Sequence, residues 1–461
     1  MWKPLVGIAV LIALASPRFS ESPSTTDQDA AVRDIHSANG RVFLKDGTEL
    51  KRTQSLDEFQ PGNTVVRLSV IASDDVLKRL PLFLELEQVE LLGKGLAINE
   101  WKELAKCRKL RVVRLGHLDP RLEEAFEAIG QLPEVTEIET WNCDLSAACY
   151  RHLKGSKKLE RLRVSDTKRP VNDEAIEYLG HVTSLLHLSV SFKDVTSQGM
   201  PHFGRLTNLR HLNLDCVKIK DDDLRPLAGL KNVNWLSFRG VPLTGRGLDH
   251  LTTCSSLSVI KFEKCENLED EIWTSLAKLR GMNVIEIVGP SPQITGRGIE
   301  SLSELSQLEN LHIRNTSLTD ESFARFPALP RLHFLSLRDN PHLTGRTLSV
   351  LGETPPLYSL NLGGTGVTDE GLAELTKIKV RASGFSLDLE DCQVSESAIA
   401  KLAGSTIKTI RLPKSLKPTD AGVKRFLEAP GTSVLAINGR YDRNGLVISK
   451  SRSDGGPKSG K

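Results

Sequence analysis

One apolar pattern recurs along most of the chain and constrains what it can fold into. An aliphatic residue, two variable residues, an aliphatic residue, one variable residue and a third aliphatic residue return every 23 to 27 residues. Fifteen copies are in register, including LEQVEL at Leu86, LERLRV at Leu159, LENLHI at Leu308 and TSVLAI at Thr432, and a degenerate copy starts at Val65. A fixed period of this length indicates a stacked repeat array rather than a set of independent globular domains.

Each repeat predicts a strand followed by a helix. The alternating apolar residues fit a short strand, whose side chains point to opposite faces in turn, and the residues after it, such as GLAELTKI from Gly371, have helical spacing. One unit cannot bury its apolar face alone, whereas stacked units share a continuous core. At about 4.8 Å per strand, fifteen strands would form a wall roughly 70 Å long.

The repeat resembles the leucine-rich repeat over residues 65–438. The similarity is to the subtype with T-D-x-G-L after the strand, as in VTDEGL from Val367, which is found in cysteine-containing arrays and in many secreted bacterial proteins. The resemblance implies an α/β solenoid, a curved right-handed array with parallel strands on the concave face and helices on the convex face. Two copies depart from the pattern, because Thr140 occupies a usually apolar position and the copy at Gly384 lacks its first leucine.

The glycine-rich stretch GGTGVTDEGLAEL, residues 363–375, superficially matches a phosphate loop. Its T-x-x-G element recurs at the same phase in five repeats, whereas a phosphate-binding loop would occur once. We expect Thr368 to cap a helix, with Asp369 and Glu370 at the positive end of the helix dipole. Gly371 would allow close approach to the neighbouring repeat. The stretch is therefore predicted to be part of the repeat scaffold and not a nucleotide-binding site.

The seven cysteines are odd in number and include no C-x-x-C pair, which predicts neither a disulfide framework nor a zinc site. Three share one repeat position, where a small side chain can hydrogen-bond to loop backbone: Cys143, Cys265 and Cys392. Cys107 and Cys254 replace core leucines of other repeats. Cys149 and Cys216 fit neither position, and we expect partial exposure of either.

The ends of the chain differ from the repeats. Lys3, an apolar run and small residues at A-x-A spacing predict a secretory signal peptide, with an uncleaved membrane anchor as the alternative. The sequence therefore predicts a secreted or periplasmic protein. The expected segments are a signal peptide at 1–17, a flexible linker at 18–34, an N-terminal cap hairpin at 35–64, the repeats at 65–438, and a C-terminal cap remnant with a disordered basic tail at 439–461.

Charge and motifs bound the chemistry. With 61 basic and 58 acidic residues, the chain is too balanced to predict a nucleic acid or a membrane surface as its partner. The sequence contains no G-x-S-x-G, H-E-x-x-H or P-loop motif, so we predict no enzyme, no cofactor and no metal. A hydrolase of wall polymers remains the enzymatic alternative.

Candidate binding residues are the variable strand positions, which should face outward on the concave wall. Aromatic residues and arginine are the types most often found at binding hot spots. The candidates of this kind are Trp141, His187, His211, Trp235, Arg239, His312, Arg314, Phe334, Arg338 and Tyr358, and the same reasoning adds Phe192 and His333. His187, His211 and Trp235 occupy one column of successive strands and should stack. Two histidines alone do not complete a metal ligand set.

The sequence thus predicts a non-catalytic scaffold that binds a protein partner on its concave face. A preorganised wall would lose little entropy on binding, and a few anchors would supply most of the affinity. One alternative is an intracellular adaptor of the ubiquitin-ligase type. Residues 21–64 lack the apolar helices of an F-box, and the signal-like N-terminus also opposes it. The other alternative is a protein that binds carbohydrate or cell wall.

Overall fold

A computed structural model describes residues 25–37, 40–50, 64–93, 98–118, 122–167, 169–353, 357–378, 385–436, 439–442 and 447–449. The predicted signal peptide, the first part of the predicted linker and the basic tail from residue 450 lie outside these residues. No helix in the described ranges is long and apolar enough to cross a membrane.

Twenty strands of the described residues form one sheet. From β3 to β18, each strand pairs in parallel with the next one along the chain. At the ends, β1 pairs antiparallel with β2 and β3, and β19 with β18 and β20. The strands are β1 Arg41–Leu44, β2 Glu49–Leu50, β3 Val65–Ile71, β4 Gln88–Leu92, β5 Val112–Gly116, β6 Glu137–Trp141, β7 Arg161–Ser165, β8 His187–Ser189, β9 His211–Leu214, β10 Trp235–Arg239, β11 Val259–Glu263, β12 Val284–Ser291, β13 Asn310–Thr316, β14 Phe334–Ser336, β15 Ser359–Asn361, β16 Phe385–Asp388, β17 Ile407–Arg411, β18 Ser433–Ala436, β19 Gly439–Tyr441 and β20 Val447–Ser449.

Short helices return the chain between strands. The α-helices are α1 Thr25–Ser37, α2 Asp74–Arg79, α3 Leu122–Gly130, α4 Ala147–Arg151, α5 Asp173–Leu179, α6 Met200–Phe203, α7 Ile272–Ala277, α8 Asp320–Phe323, α9 Asp369–Glu374, α10 Glu396–Lys401 and α11 Ala421–Leu427. The 3₁₀ helices are Leu80–Leu82, Trp101–Lys106, His152–Gly155, Asp221–Gly229, Arg246–Leu251, Ile299–Glu304, Leu348–Glu353 and Leu375–Lys377. Several repeats therefore carry a 3₁₀ helix where the pattern predicted an α-helix, because a period of about 24 residues leaves few for the return.

The inward residues of the strands form one continuous core. Leu212, Leu236 and Ile260 are in register on three successive strands, and none is more than 1% exposed. Aliphatic side chains of the helices complete the same cluster. The predicted strand and helix solenoid is confirmed.

Phe192 corrects the predicted list of concave residues. The strand β8 ends at Ser189, so Phe192 lies in the turn that follows rather than on the wall. It is fully buried, and its ring packs edge-on against Phe203 with the centroids 4.9 Å apart.

The predicted cysteine position is confirmed. The thiols at Cys143, Cys265 and Cys392 are buried and donate to backbone carbonyls of the preceding repeat, with Cys392 Sγ 3.0 Å from the Leu362 oxygen. The expected exposure of Cys149 or Cys216 is wrong, because both side chains point into the core and are 2% exposed or less. All seven cysteines of the chain are buried.

The T-x-x-G element at Thr368 caps a helix, as predicted. The Thr368 hydroxyl accepts from the Gly371 N–H at 3.2 Å. A Cβ on Gly371 would lie 2.1 Å from the Thr344 carbonyl oxygen, so the preceding repeat packs directly against this glycine. The element is therefore part of the scaffold.

An acidic residue in the first turn of a helix, or just before it, has a second role that the sequence did not predict. The Asp270 carboxylate accepts from the Thr295 and Gly296 N–H groups, both at 2.9 Å, in the next repeat. We name this contact the carboxylate clamp. It recurs from Asp173, Asp221, Asp320, Asp369 and Glu396 to the following repeat in each case.

The N-terminal segment corrects the predicted linker. Residues 25–34 belong to α1, whose Ala31, Val32 and Ile35 are fully buried, because their helical spacing places them on one face against the first repeat. The Gln28 amide donates to the Leu82 carbonyl at 3.0 Å. The strands β1 and β2 form a hairpin around Asp46 and Gly47, and β1 covers the edge of β3.

Candidate binding surface

Outward side chains of the parallel strands form three rows across the concave face. The first row includes Arg161, His187, His211, Trp235, Val259 and Phe334; the middle row Arg114, Glu139, Arg163, Ser189, Asn213, Ser237, Lys261 and His312; and the third row Gly116, Trp141, Ser165, Arg239, Glu263 and Arg314. Arg338 follows the end of β14, and Tyr358 directly precedes β15. The structure places all ten predicted residues along one continuous wall, on or directly beside seven of the strands between β6 and β15.

The predicted ring column is present in the first row. The His187 and His211 centroids lie 4.5 Å apart, and the His211 and Trp235 rings are nearly parallel with their centroids 6.2 Å apart. Partial burial lowers the pKa of both histidines. The three rings therefore form one continuous column along the first row.

A groove that the sequence reasoning missed runs beside this column. Ser189, Asn213 and Ser237 are short side chains in the middle row, between Trp235 on one side and Arg239 on the other. They leave a hollow of about 600 Å³, and a second of about 440 Å³ on its N-terminal side shares Ser189, His211 and Asn213 in its lining. The signal was three small polar residues 24 residues apart at one repeat phase.

Two of the predicted arginines are held by carboxylates of the chain itself. Arg239 lies 2.7 Å from Glu263. Arg338 contacts Glu390 at 3.1 Å and Asp391 at 3.2 Å, two repeats further on, and crosses Gly363 to reach them. Arg338 therefore links repeats, and a partner would have to compete with these ion pairs.

An aromatic patch lies at the amino ends of β14 and β15. Phe334 is 48% exposed and Tyr358 is 45% exposed, although both are large apolar side chains. The His333 and Tyr358 rings stack with their centroids 5.0 Å apart. Ser359, the residue after Tyr358, pairs with Phe334, so the three rings share one part of the wall. We name Phe334, His333 and Tyr358 the aromatic patch.

The N-terminal part of the wall has a different character. Arg114 bridges Glu137 and Glu139, with both contacts at 3.1 Å. The Trp141 indole lies directly over Gly116, where a Cβ would come within 2.4 Å of its ring. These side chains border a third hollow of about 540 Å³.

The remaining histidine and arginine candidates are partly buried. Burial lowers the pKa of His312 in the middle row. Arg314 is 4.0 Å from Asp339. Among the described residues, no group of three or more His, Cys, Asp or Glu side chains could hold a metal ion.

Comparisons with known proteins give similarity in structure only. No family model matches the chain, and no curated protein matches it in sequence. An internalin, inlF, from Listeria monocytogenes is 17% identical, with 69% of this chain and 89% of that chain covered and a TM-score of 0.42. A structure of the Drosophila Toll and Spatzle complex is 14% identical, with 82% of this chain and 51% of that chain covered and a TM-score of 0.47. A structure of a TLR13 and ssRNA13 complex is 16% identical, with 72% of this chain and 51% of that chain covered and a TM-score of 0.47.

The assignment rests on the chain's own repeat and geometry. Successive copies of the apolar pattern supply successive strands of one parallel ladder, with a short helix after most of them. Core residues keep one phase from repeat to repeat, and turn residues of neighbouring repeats bind one another. The chain therefore has the leucine-rich-repeat fold, a solenoid of parallel strands and short helices.

Proposed function

We propose that this protein is a non-catalytic, secreted or periplasmic scaffold that binds a protein partner on its concave face. The observation that carries the proposal is the exposure of two large aromatic side chains, Phe334 and Tyr358, close together on the wall. Large exposed aromatics in one patch are typical of protein interaction sites, where they bury much area with few rotatable bonds.

The surroundings of the aromatic patch fit a protein surface. His333 stacks on Tyr358 and limits its movement, so little side-chain entropy would be lost on binding. The strands beneath are held on both sides by neighbouring repeats, with Phe334 in register between Asn310 and Ser359. A partner would meet rigid apolar anchors with polar groups at their edge.

We revise the expected contributions of the binding residues that the sequence predicted. The Trp235 indole packs beside the His211 ring, and Arg239 and Arg338 are held in ion pairs. We therefore expect Phe334 and Tyr358 to supply more of the binding free energy than either arginine. Displacing an internal carboxylate would offset the gain from an arginine contact.

The test is capture of partners by variants of the full chain. We expect a partner from the exported fraction to be retained by the wild-type protein and lost by the double variant Phe334→Ala, Tyr358→Ala. Val217→Ala is the matched control, because Val217 is 50% exposed and lies outside the rows of the wall. Equal capture by the double variant and the control would refute this site.

Export is a separate part of the proposal and rests on the N-terminal sequence. Mass spectrometry of the mature N-terminus should find a start near residue 17, and an intact Met1 in a membrane fraction would indicate the anchored alternative. Recovery of the protein only inside the cell would favour the adaptor. The near balance of charge supports a protein rather than a nucleic acid, and nuclease treatment of the captured material distinguishes the two.

A further inference from the structure

The hollow beside Trp141 is lined in part by that aromatic side chain. In the third row, the neighbours of Trp141 in register are Gly116 and Ser165, the smallest pair around any large side chain of this row. A Cβ on Gly116 would lie 2.4 Å from indole Cε2 and Cζ2. The indole therefore lies across β5, and Trp141 is one of the six residues that line the hollow of about 540 Å³.

The charges around this hollow balance. Its lining includes two guanidinium groups, Arg67 and Arg114, and two carboxylates, Glu90 and Glu139. Arg114 Nε donates to Glu139 at 3.1 Å, and the Arg67 guanidinium lies over the Phe43 ring at 4.6 Å. A charged ligand would meet both signs and gain little net attraction, so the lining favours a neutral one.

Polar groups with unused hydrogen-bonding capacity line the same space. Within the part of the chain that the structure describes, the Gln88 amide and the Glu90 carboxylate make no hydrogen bond to another side chain or to backbone. Both lie on β4, in the first and middle rows. The amide can donate and accept, and the carboxylate accepts, so together they suit a ligand with adjacent hydroxyl groups.

We propose that this hollow is a binding subsite for a neutral sugar unit of an oligosaccharide. The aliphatic C–H groups on one face of a pyranose carry partial positive charge and would pack on the electron-rich indole face of Trp141. The hydroxyls would donate to Glu90 and Glu139 and accept from Gln88. The volume lies within the usual range for small-ligand sites.

The ring column elsewhere on the wall gives the contrast. Its histidine rings lie between neighbours in the first row, and Trp235 has His211 on one side and Val259 in register on the other. Trp235 therefore has a ring beside it in its own row, whereas the in-register neighbours of Trp141 are a glycine and a serine. The proposed subsite is therefore specific to Trp141 and does not depend on the aromatic patch or on the proposed protein partner.

The test is titration of the full chain with four oligosaccharides: cellotetraose, xylotetraose, mannotetraose and chitotetraose. Binding is measured by tryptophan fluorescence and by calorimetry. Trp101 and Trp273 are 2% exposed or less, so a ligand on the wall should change emission from Trp141 or Trp235. We expect at least one probe to bind. Trp141→Ala should weaken its binding roughly tenfold or more, whereas Trp235→Ala should leave it within about twofold.

Further variants keep the result independent of misfolding. Trp141→Phe retains a ring and should keep more affinity than Trp141→Ala, while circular dichroism shows that both are folded. Glu90→Gln with Gln88→Ala should also weaken binding, because both hydroxyl partners change. The double variant of the aromatic patch should bind the sugar normally, so failure of either proposal can be told from failure of the other.

Several outcomes would overturn the proposal. One is that no probe binds the wild-type protein at millimolar concentration. Another is that Trp141→Ala binds as well as wild type, or that Trp235→Ala abolishes binding. Loss of a captured protein in Trp141→Ala, without any sugar binding by wild type, would instead assign the hollow to the protein interface.

Discussion

Asp320 should be a strong point of contact between two repeats through its carboxylate clamp. It is the first residue of α8, and its carboxylate accepts from the Thr344 N–H at 3.0 Å and the Gly345 N–H at 2.9 Å in the next repeat. The Thr344 hydroxyl donates to the same carboxylate. The substitution Asp320→Ala removes the acceptor for two backbone N–H groups at once.

The expected loss follows from these contacts. A hydrogen bond to a charged group contributes about 1.5 kcal/mol or more, so Asp320→Ala should lower the free energy of unfolding by about 3 kcal/mol. Asp320→Asn keeps one acceptor oxygen and should lower it by about half as much. Glu321→Ala is the matched control, because the neighbouring carboxylate is exposed and near the same helix end, where it contributes about 0.5 kcal/mol.

Urea denaturation and amide hydrogen exchange measure this effect. Repeat arrays can open locally, so exchange at the Thr344 and Gly345 amides is the sharper probe. We expect both amides to exchange roughly a hundredfold faster in Asp320→Ala than in Glu321→Ala. If the two variants have equal unfolding free energies and equal exchange rates, the clamp does not stabilise the array as reasoned.

Three further predictions follow from buried polar groups. Thr140 is fully buried with no hydrogen-bond partner for its hydroxyl among the described residues, so Thr140→Val should raise the free energy of unfolding by about 1 kcal/mol in urea denaturation, and a loss would contradict this. Burial raises the pKa of Cys107 to about 12 and that of Cys265 to about 11, so the free energy of unfolding should fall as the pH rises above 9, where the unfolded thiols ionise. Iodoacetamide should label few of the seven cysteines before unfolding, and rapid labelling of the native protein would refute their burial. Burial lowers the pKa of His312 below 6.5, so the free energy of unfolding should fall as the pH drops below 6.5, where the unfolded imidazole binds a proton first. His312→Gln should reduce this fall in denaturation curves from pH 7 to 5, and an unchanged dependence of stability on pH would contradict the prediction.

Much of the fold could be predicted because its determinants are local and periodic. The apolar pattern set the strand positions, and its near-constant period of about 24 residues placed His187, His211 and Trp235 in one column, where the structure has them. The T-x-x-G element likewise predicted the cap at Thr368. Such features depend on residues close in sequence and on one repeated spacing.

The sequence predictions were wrong where the repeat spacing is irregular and where a segment was interpreted without its neighbours in the fold. Phe192 has strand phase, but β8 is short and the chain turns it inward. The polar composition of residues 18–34 predicted a linker, whereas the spacing of Ala31, Val32 and Ile35 forms a helix once the first repeat offers an apolar edge. Composition alone could not show that edge.

By itself, the sequence determined the repeat, its strand and helix order and the side chains that face the wall, because burial of aliphatic residues at a fixed spacing has one stacked solution. Only the tertiary structure decided how the wall's side chains are used. Arg338 reaches Glu390 across an intervening repeat, Trp141 lies over Gly116, and the clamp from Asp320 reaches the next repeat. These contacts join residues 24 to 52 positions apart, and they depend on how each repeat sits on the next.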